Sequence, residues 1–108
     1  MVPGAPCADA PVQHAGRPGW LLDQIGRGFV LLCFGDRPAA AEVAAHGVRA
    51  AVRHVGTDLQ DPTGLLAQRY DGRPGTVYLL RPDQVVAARW RRFDGERIAR
   101  ALQRALGA

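Results

Sequence analysis

An α/β fold built on one mixed, four-stranded sheet flanked by helices is predicted by three observations. Phe29-Val30-Leu31-Leu32-Cys33-Phe34 is six apolar residues without a break, the pattern of a strand covered on both faces. A segment with helix start and stop signals follows it, and then a second apolar run, which together have the form of a βαβ unit. Two further strand-like runs are separated only by Arg81-Pro82-Asp83-Gln84, and strands joined so tightly pair antiparallel.

Taken in order, residues 1 to 19 carry Pro3, Pro6, Pro11 and Pro18 with Gly4, Gly16 and Gly19. This is expected to be a lead-in, ordered only by lying against a domain formed by residues 20 to 108. Trp20 to Ile25 gives a short apolar element before the Gly26-Arg27-Gly28 turn. After the central strand, Asp36 is placed to cap a helix, Pro38 falls in its first turn, an alanine-rich body runs to His46, and Gly47 stops it. Val48 to Val55 reads as the next strand, with Val48, Ala50 and Val52 on one side; a right-handed crossover makes it parallel to the first. Asp61-Pro62 opens another helix, Leu66 and Tyr70 lie one turn apart in it, and Gly72 ends it. Thr76 to Leu80 and Val85 to Trp90 form the antiparallel pair, with Pro82 suited to the second position of a type I turn. Asp94 caps the last helix, whose apolar stripe is Ile98, Ala101, Leu102, Ala105 and Leu106, with Arg97, Arg100 and Arg104 outside it. The order is β-α-β-α-β-β-α, the core of the thioredoxin fold.

Composition excludes several function classes. The formal net charge is +4, but all 14 basic residues are arginine and they are spread from Arg17 to Arg104. A nucleic-acid-binding chain is expected to gather that charge on one face, so no nucleic-acid partner is expected. Two cysteines, Cys7 and Cys33, make no disulfide framework and point to reducing cytoplasm. No run approaches the roughly 20 apolar residues of a membrane span, and the N-terminus lacks the basic start and apolar stretch of a signal peptide. A soluble chain with no membrane partner is expected.

Thioredoxin-type domains carry a Cys-x-x-Cys pair in the turn after the central strand. Here that turn is Gly35-Asp36-Arg37-Pro38-Ala39-Ala40-Ala41-Glu42, and no cysteine follows Cys33. Cys33 sits inside the strand, where it reads as a small buried apolar residue rather than an activated thiol. Cys7, in the lead-in, is expected to be the more exposed of the two and is the one candidate for thiol oxidoreductase or peroxidase chemistry. The proline that such domains place just before the third core strand is also displaced, since Gly75 precedes Thr76 and Pro74 stands one residue earlier; Arg73-Pro74 is expected to be trans. His14, His46 and His54 have no cysteine or carboxylate at metal-ligand spacing. In Arg89-Trp90-Arg91-Arg92-Phe93, alternation sends Trp90 to the core side with Val86 and Ala88, and Arg89 and Arg91 outward. No catalytic, cofactor-binding or metal residue is assigned.

Pro3-Gly4-Ala5-Pro6, Ala8-Asp9-Ala10-Pro11, Trp20-Leu21-Leu22-Asp23 leading through Gly28-Phe29, and above all Arg81-Pro82-Asp83-Gln84-Val85-Val86-Ala87 together carry a resemblance over nearly the whole chain. They resemble the C-terminal thioredoxin-like domain of FAD-dependent aromatic hydroxylases, the group of phenol hydroxylase, hydroxyphenylpropionate hydroxylase and the polyketide and rifampicin monooxygenases. Gln84 stands where glycine is common in that family's motif. The resemblance implies a redox-inactive structural or interaction domain whose partners are flavoprotein catalytic domains in cis or trans. From the outward Arg89 and Arg91 face and the open strand edges, a homodimer is also expected. The parent enzyme would use FAD and NAD(P)H to hydroxylate an aromatic or polyketide substrate. The chain itself has no Gly-x-Gly-x-x-Gly turn to cradle FAD, so no cofactor is expected on it. A free-standing partner-binding module and a Cys7-dependent oxidoreductase or peroxidase are the alternatives.

Overall fold

The computed structural model describes residues 1–35, 42–45 and 47–105. Its elements in chain order are β1 (Pro11–His14), β2 (Arg17–Trp20), α1 (Leu21–Gln24), β3 (Phe29–Cys33), β4 (Glu42–Ala45), β5 (Val48–His54), α2 (Leu65–Arg69), β6 (Val77–Leu80), β7 (Val86–Trp90) and α3 (Gly95–Ala105). Five strands form one mixed sheet in the order β4-β5-β3-β6-β7, and β1 and β2 form a separate hairpin.

The central strand behaves as its apolar run requires. β3 lies between β5, parallel to it, and β6, antiparallel to it. Its alternate residues feed two cores: Val30, Leu32 and Phe34 pack on one face with Leu66, Tyr70 and Tyr78, while Leu31 and Cys33 pack on the other with Val52, Ile98 and Leu102. Leu31, Leu32, Leu79 and Leu80 are all fully buried, each contributing about 2 kcal/mol of transfer free energy. On the first face Tyr70 and Tyr78 meet edge to face, 5.1 Å between ring centroids, and Tyr78 Oη donates to the Tyr70 carbonyl at 2.6 Å.

The expected helix between the core strands is corrected. Glu42–Ala45 is strand β4, pairing antiparallel with β5 from Glu42↔Ala51 to Ala45↔Val48, so the sheet has five strands and not four and the β-α-β-α-β-β-α order does not hold as written. The Asp36 cap, Pro38 and His46 lie outside the described residues. Alanine favours a helix by only tenths of a kcal/mol per residue. Pairing with β5 and packing of Val43 and Ala45 against the α3 side outweigh that preference, and Gly47, at φ +78°, turns the chain from β4 into β5.

The second expected helix starts later than Asp61-Pro62 suggests, at Leu65. Asp61 still serves it, its carboxylate accepting from the Leu66 and Ala67 N–H groups at 3.2 and 3.0 Å. Asp94 caps α3 as expected, accepting from Glu96 and Arg97 N–H at 3.1 and 3.2 Å.

The lead-in contains more structure than its prolines announce. β1 and β2 form a hairpin whose two loop residues, Ala15 and Gly16, both have positive φ, the requirement of a type I′ turn. Ahead of it, Gly4 N–H donates to Val86 O at 2.7 Å, Val86 N–H to Ala5 O at 2.9 Å, and Cys7 N–H to Gln84 O at 2.8 Å. These bonds lay the segment along the start of β7. Ala10 and Val12 are buried in the first core.

The β6–β7 hairpin carries a second correction. A bulge between Leu79 and Leu80 sets Leu80 opposite Val86 and Leu79 opposite Ala88. Val86 therefore enters the first core while Ala88 and Trp90 face the second, so Trp90 does not share a side with Val86 as simple alternation predicts.

Candidate functional site

Phe34 and Gly35, which follow the central strand, are held against the backbone before β6. Phe34 N–H donates to Thr76 O at 2.9 Å, and Gly75 N–H donates to Phe34 O at 2.8 Å. Gly35 has φ +86°, and a Cβ built there would stand 2.6 Å from Gly75 N and 2.9 Å from Pro74 Cα. Two backbone segments touch here with no room for a side chain between them. Phe34 fills the neighbouring space, its ring lying where a Cβ on Gly72 would be. No cis peptide bond occurs among the described residues, so Arg73-Pro74 is trans, as expected.

His54, which the sequence left without a role, also holds Gly35. Its Nε2 bonds to Gly35 O and its Nδ1 lies 2.9 Å from Thr57 Oγ1. Because a carbonyl can only accept, Nε2 is the donor in the bond to Gly35 O. His54 N–H also donates to Asp58 Oδ2 at 2.8 Å. Only the tertiary fold brings His54 to Gly35, 19 residues earlier.

Both thiols are buried and free. Burial pushes Cys33 up to about 12, with a smaller contribution in the same direction from Asp58. Cys7 is not the exposed residue that its segment predicts: it is only 8% accessible. Burial pushes it up to about 11, against the opposing effect of its hydrogen bond with Tyr70 and with a further upward push from Asp83. Tyr70 donates to Ala8 O at 2.7 Å, and burial first, then the Cys7 side chain, raises its own phenol well above the usual range. Cys7 belongs to the first core and Cys33 to the second, so the sheet lies between them.

The arginines expected to face outward act as ties. Arg91 binds Asp71 through Nη2 to Oδ2 at 2.5 Å and through Nη1 to the Asp71 carbonyl at 3.0 Å, and also reaches Thr76 Oγ1 at 3.1 Å. The Arg91 guanidinium, by hydrogen bond and by charge, holds the Asp71 carboxyl below its ordinary value. Arg89 donates to Met1 O at 3.1 Å and to Tyr78 Oη at 3.4 Å. With Trp90, Arg92, Asp94 and Arg97 they line a cleft of about 370 Å³. A larger groove, about 490 Å³, opens between α1 and β5, where Arg27, Arg49 and Arg53 meet Asp23 and Glu42.

Gln84 explains its own departure from glycine. It stands at φ +62°, a conformation that glycine adopts without cost, and its Nε2 donates to Leu22 O at 2.8 Å. Among the described residues, no group of three or more His, Cys, Asp or Glu side chains could hold a metal ion. No described helix is long and apolar enough to cross a membrane.

The comparisons with known proteins agree with this geometry. Over residues 1–108 the chain matches the family model described as aromatic-ring hydroxylase, C-terminal. Among curated proteins none matches. The solved structure of aklavinone-11 hydroxylase with FAD and aklavinone is similar at 26% identity and a TM-score of 0.79 over 99% of this chain and 22% of that one. The flavin-dependent monooxygenase PieE, with FAD and substrate, is similar at 28% identity and a TM-score of 0.80 over 97% of this chain and 20% of its own. The chain thus spans about a fifth of the length of these hydroxylases. A reduced 2-Cys peroxiredoxin from Plasmodium vivax shares the fold, with a TM-score of 0.63 at 16% identity over the full length of both chains. By its match from the first residue to the last, the chain belongs to the aromatic-ring hydroxylase C-terminal family.

Proposed function

We propose that this chain is a redox-inactive thioredoxin-like module that gives an FAD-dependent aromatic or polyketide hydroxylase part of its packing and contact surface. The observation that carries the reading is the placement of the two thiols: each is buried, on opposite faces of one sheet, and pushed far above neutral pH. A thiolate is the reactive form, and two sulfurs separated by a sheet cannot approach the 2.05 Å or so of a disulfide. The fold shared with a peroxiredoxin therefore lends no support to Cys7 chemistry.

FAD does not fit these residues. The only described helix of more than two turns is α3, and its N-terminal N–H groups are already taken by the Asp94 carboxylate, where a pyrophosphate would have to sit. At the end of β3 the Gly35 and Gly75 backbones leave no room for a side chain between them. In this reading FAD and NAD(P)H act on a flavin-carrying portion in cis or trans, in the cytoplasm, and this module supplies no reacting group.

A chimaera tests the reading: this chain replaces the matched fifth of aklavinone-11 hydroxylase. A folded chimaera that retains FAD and turns over aklavinone is expected, with turnover unchanged in Cys7→Ala/Cys33→Ala. Loss of turnover in that double variant, with FAD and fold intact by circular dichroism, overturns the redox-inactive reading.

A further inference from the structure

We propose that the cleft at the end of β7 and the start of α3 is the docking face of this module, and that its occupant is a carboxylate-bearing surface of the flavin-carrying portion. The proposal rests on the module reading above and names the surface through which it works.

Charge is the first argument. Four guanidinium groups, from Arg89, Arg91, Arg92 and Arg97, line the cleft with one carboxylate, Asp94; Arg91 is paired with Asp71 from outside the lining, which leaves Arg89 and Arg92 without a carboxylate among the described residues. The Asp94 carboxylate is committed to the helix start, and its ion pair with Arg97 is long, at 3.6 Å. Arg92 has no hydrogen bond or ion pair among the described residues. Almost every other patch of arginine on α3 and the β6–β7 turn meets an acid inside the chain, as Arg81 does with Asp83 and Arg100 with Glu96. A surplus of planar donors at Arg89 and Arg92 matches carboxylates from outside.

Composition is the second. Phe93 is 38% exposed and Trp90 half-buried beside these arginines, and aromatic residues with arginine are what protein interfaces concentrate at their energetic centres. β7 is also an edge strand. The lead-in pairs only with its beginning, at Val85 and Val86, so the edge beyond has no neighbouring strand among the described residues.

Position is the third. Arg89 holds the Met1 carbonyl at the rim of the same cleft. The family is a C-terminal one, so in the module reading the flavin-carrying portion is tethered to this domain, and a tethered surface has a high effective concentration.

The test uses the 108-residue chain and a fluorescein-labelled twelve-residue peptide of alternating Glu and Leu, followed by anisotropy. Saturable binding that weakens at least tenfold in Arg92→Glu/Arg97→Glu, and less than twofold in Arg49→Glu/Arg53→Glu in the other groove, is the expected result. Equal weakening by both pairs means that net charge alone attracts the peptide and overturns the proposal, as does the absence of saturable binding. Circular dichroism confirms the fold of each variant. Carrying Arg92→Glu/Arg97→Glu into the aklavinone-11 hydroxylase chimaera separates the two readings. If the parent chimaera folds and the variant melts at the same temperature, the docking face falls and the module reading stands. If the peptide result holds and the parent chimaera loses FAD, the module reading falls.

Discussion

Replacing Gly35 with alanine probes its contact with the Pro74-Gly75 backbone. The new Cβ would stand 2.6 Å from Gly75 N, 2.9 Å from Pro74 Cα and 3.1 Å from Pro74 C, all backbone atoms that cannot rotate away. Holding alanine at φ +86° costs about 1–2 kcal/mol. Displacing the packed backbone adds about 1–3 kcal/mol. The atom struck hardest, Gly75 N, is also the donor of the 2.8 Å bond to Phe34 O, and losing that bond in a buried place costs about 1 kcal/mol more. The total is about 3–6 kcal/mol, a large part of the stability of a domain of this size. Gly16→Ala is the control, since Gly16 has φ +76° and nothing within 4 Å of a Cβ; it isolates the strain alone, about 1 kcal/mol. Urea unfolding followed by circular dichroism, extrapolated linearly, reads both. If Gly35→Ala comes within about 0.5 kcal/mol of Gly16→Ala, given the additive noise of such comparisons, the backbones are not in contact and the reasoning fails.

Three other outcomes follow from single observations. Gln84→Ala keeps the φ +62° backbone and loses the bond to Leu22 O, so it should destabilise by about 1 kcal/mol, while Gln84→Gly offsets that loss by relieving the strain; equal melting temperatures for the two variants would contradict this. With Cys7 at about 11 and Cys33 at about 12, the thiolate fraction at pH 7 is on the order of one in ten thousand or less. Ellman's reagent should therefore label neither cysteine until denaturant is added, and rapid native labelling of Cys7 would refute its burial. Asp71, held low by Arg91, has a folded pKa below its unfolded value. Its contribution is present above the ordinary carboxylate pKa and is lost as pH falls through the folded one, so the change belongs to the acid range below 3.8. A carboxyl-carbon NMR titration should show the Asp71 midpoint rising in Arg91→Ala; an unmoved midpoint removes Arg91 as the cause.

What the sequence made legible was local or strictly periodic. The unbroken Phe29–Phe34 run announced a strand with two covered faces, Pro82 announced the β6–β7 turn, and Asp94 announced the start of α3, because each signal acts within a few residues of itself. The β1–β2 hairpin was hidden because Ala15-Gly16 is not an Asn-Gly turn, and its strands contain Pro11 and Pro18. β4 was hidden because alanine has a helix preference, while its partner edge on β5 is a tertiary fact. The side of Val86 depended on a bulge whose position is set by the opposite strand. For the site, the missing cysteines after Cys33 were readable at once, and so was the burial of Cys33. The burial of Cys7 and the His54–Gly35 bond were not, since both depend on segments brought together from far along the chain.

The contacts at the end of β3 and the basic cleft bear on each other. Gly35 lies against Gly75, Phe34 covers Gly72, and His54 fastens the Gly35 carbonyl, so this end of the central strand is tightly packed. Thr76, which accepts from Phe34 through its carbonyl, also takes a guanidinium bond from Arg91 through its hydroxyl. Arg91 lies next to Trp90 and Arg92 on the cleft wall. One continuous set of bonds therefore runs from Phe34 to the end of β7, and it holds Arg91 in position before anything binds. A guanidinium already ordered loses less side-chain entropy on meeting a carboxylate than a free one, so on the proposed reading the packing at the end of β3 also prepares Arg91 on the cleft wall.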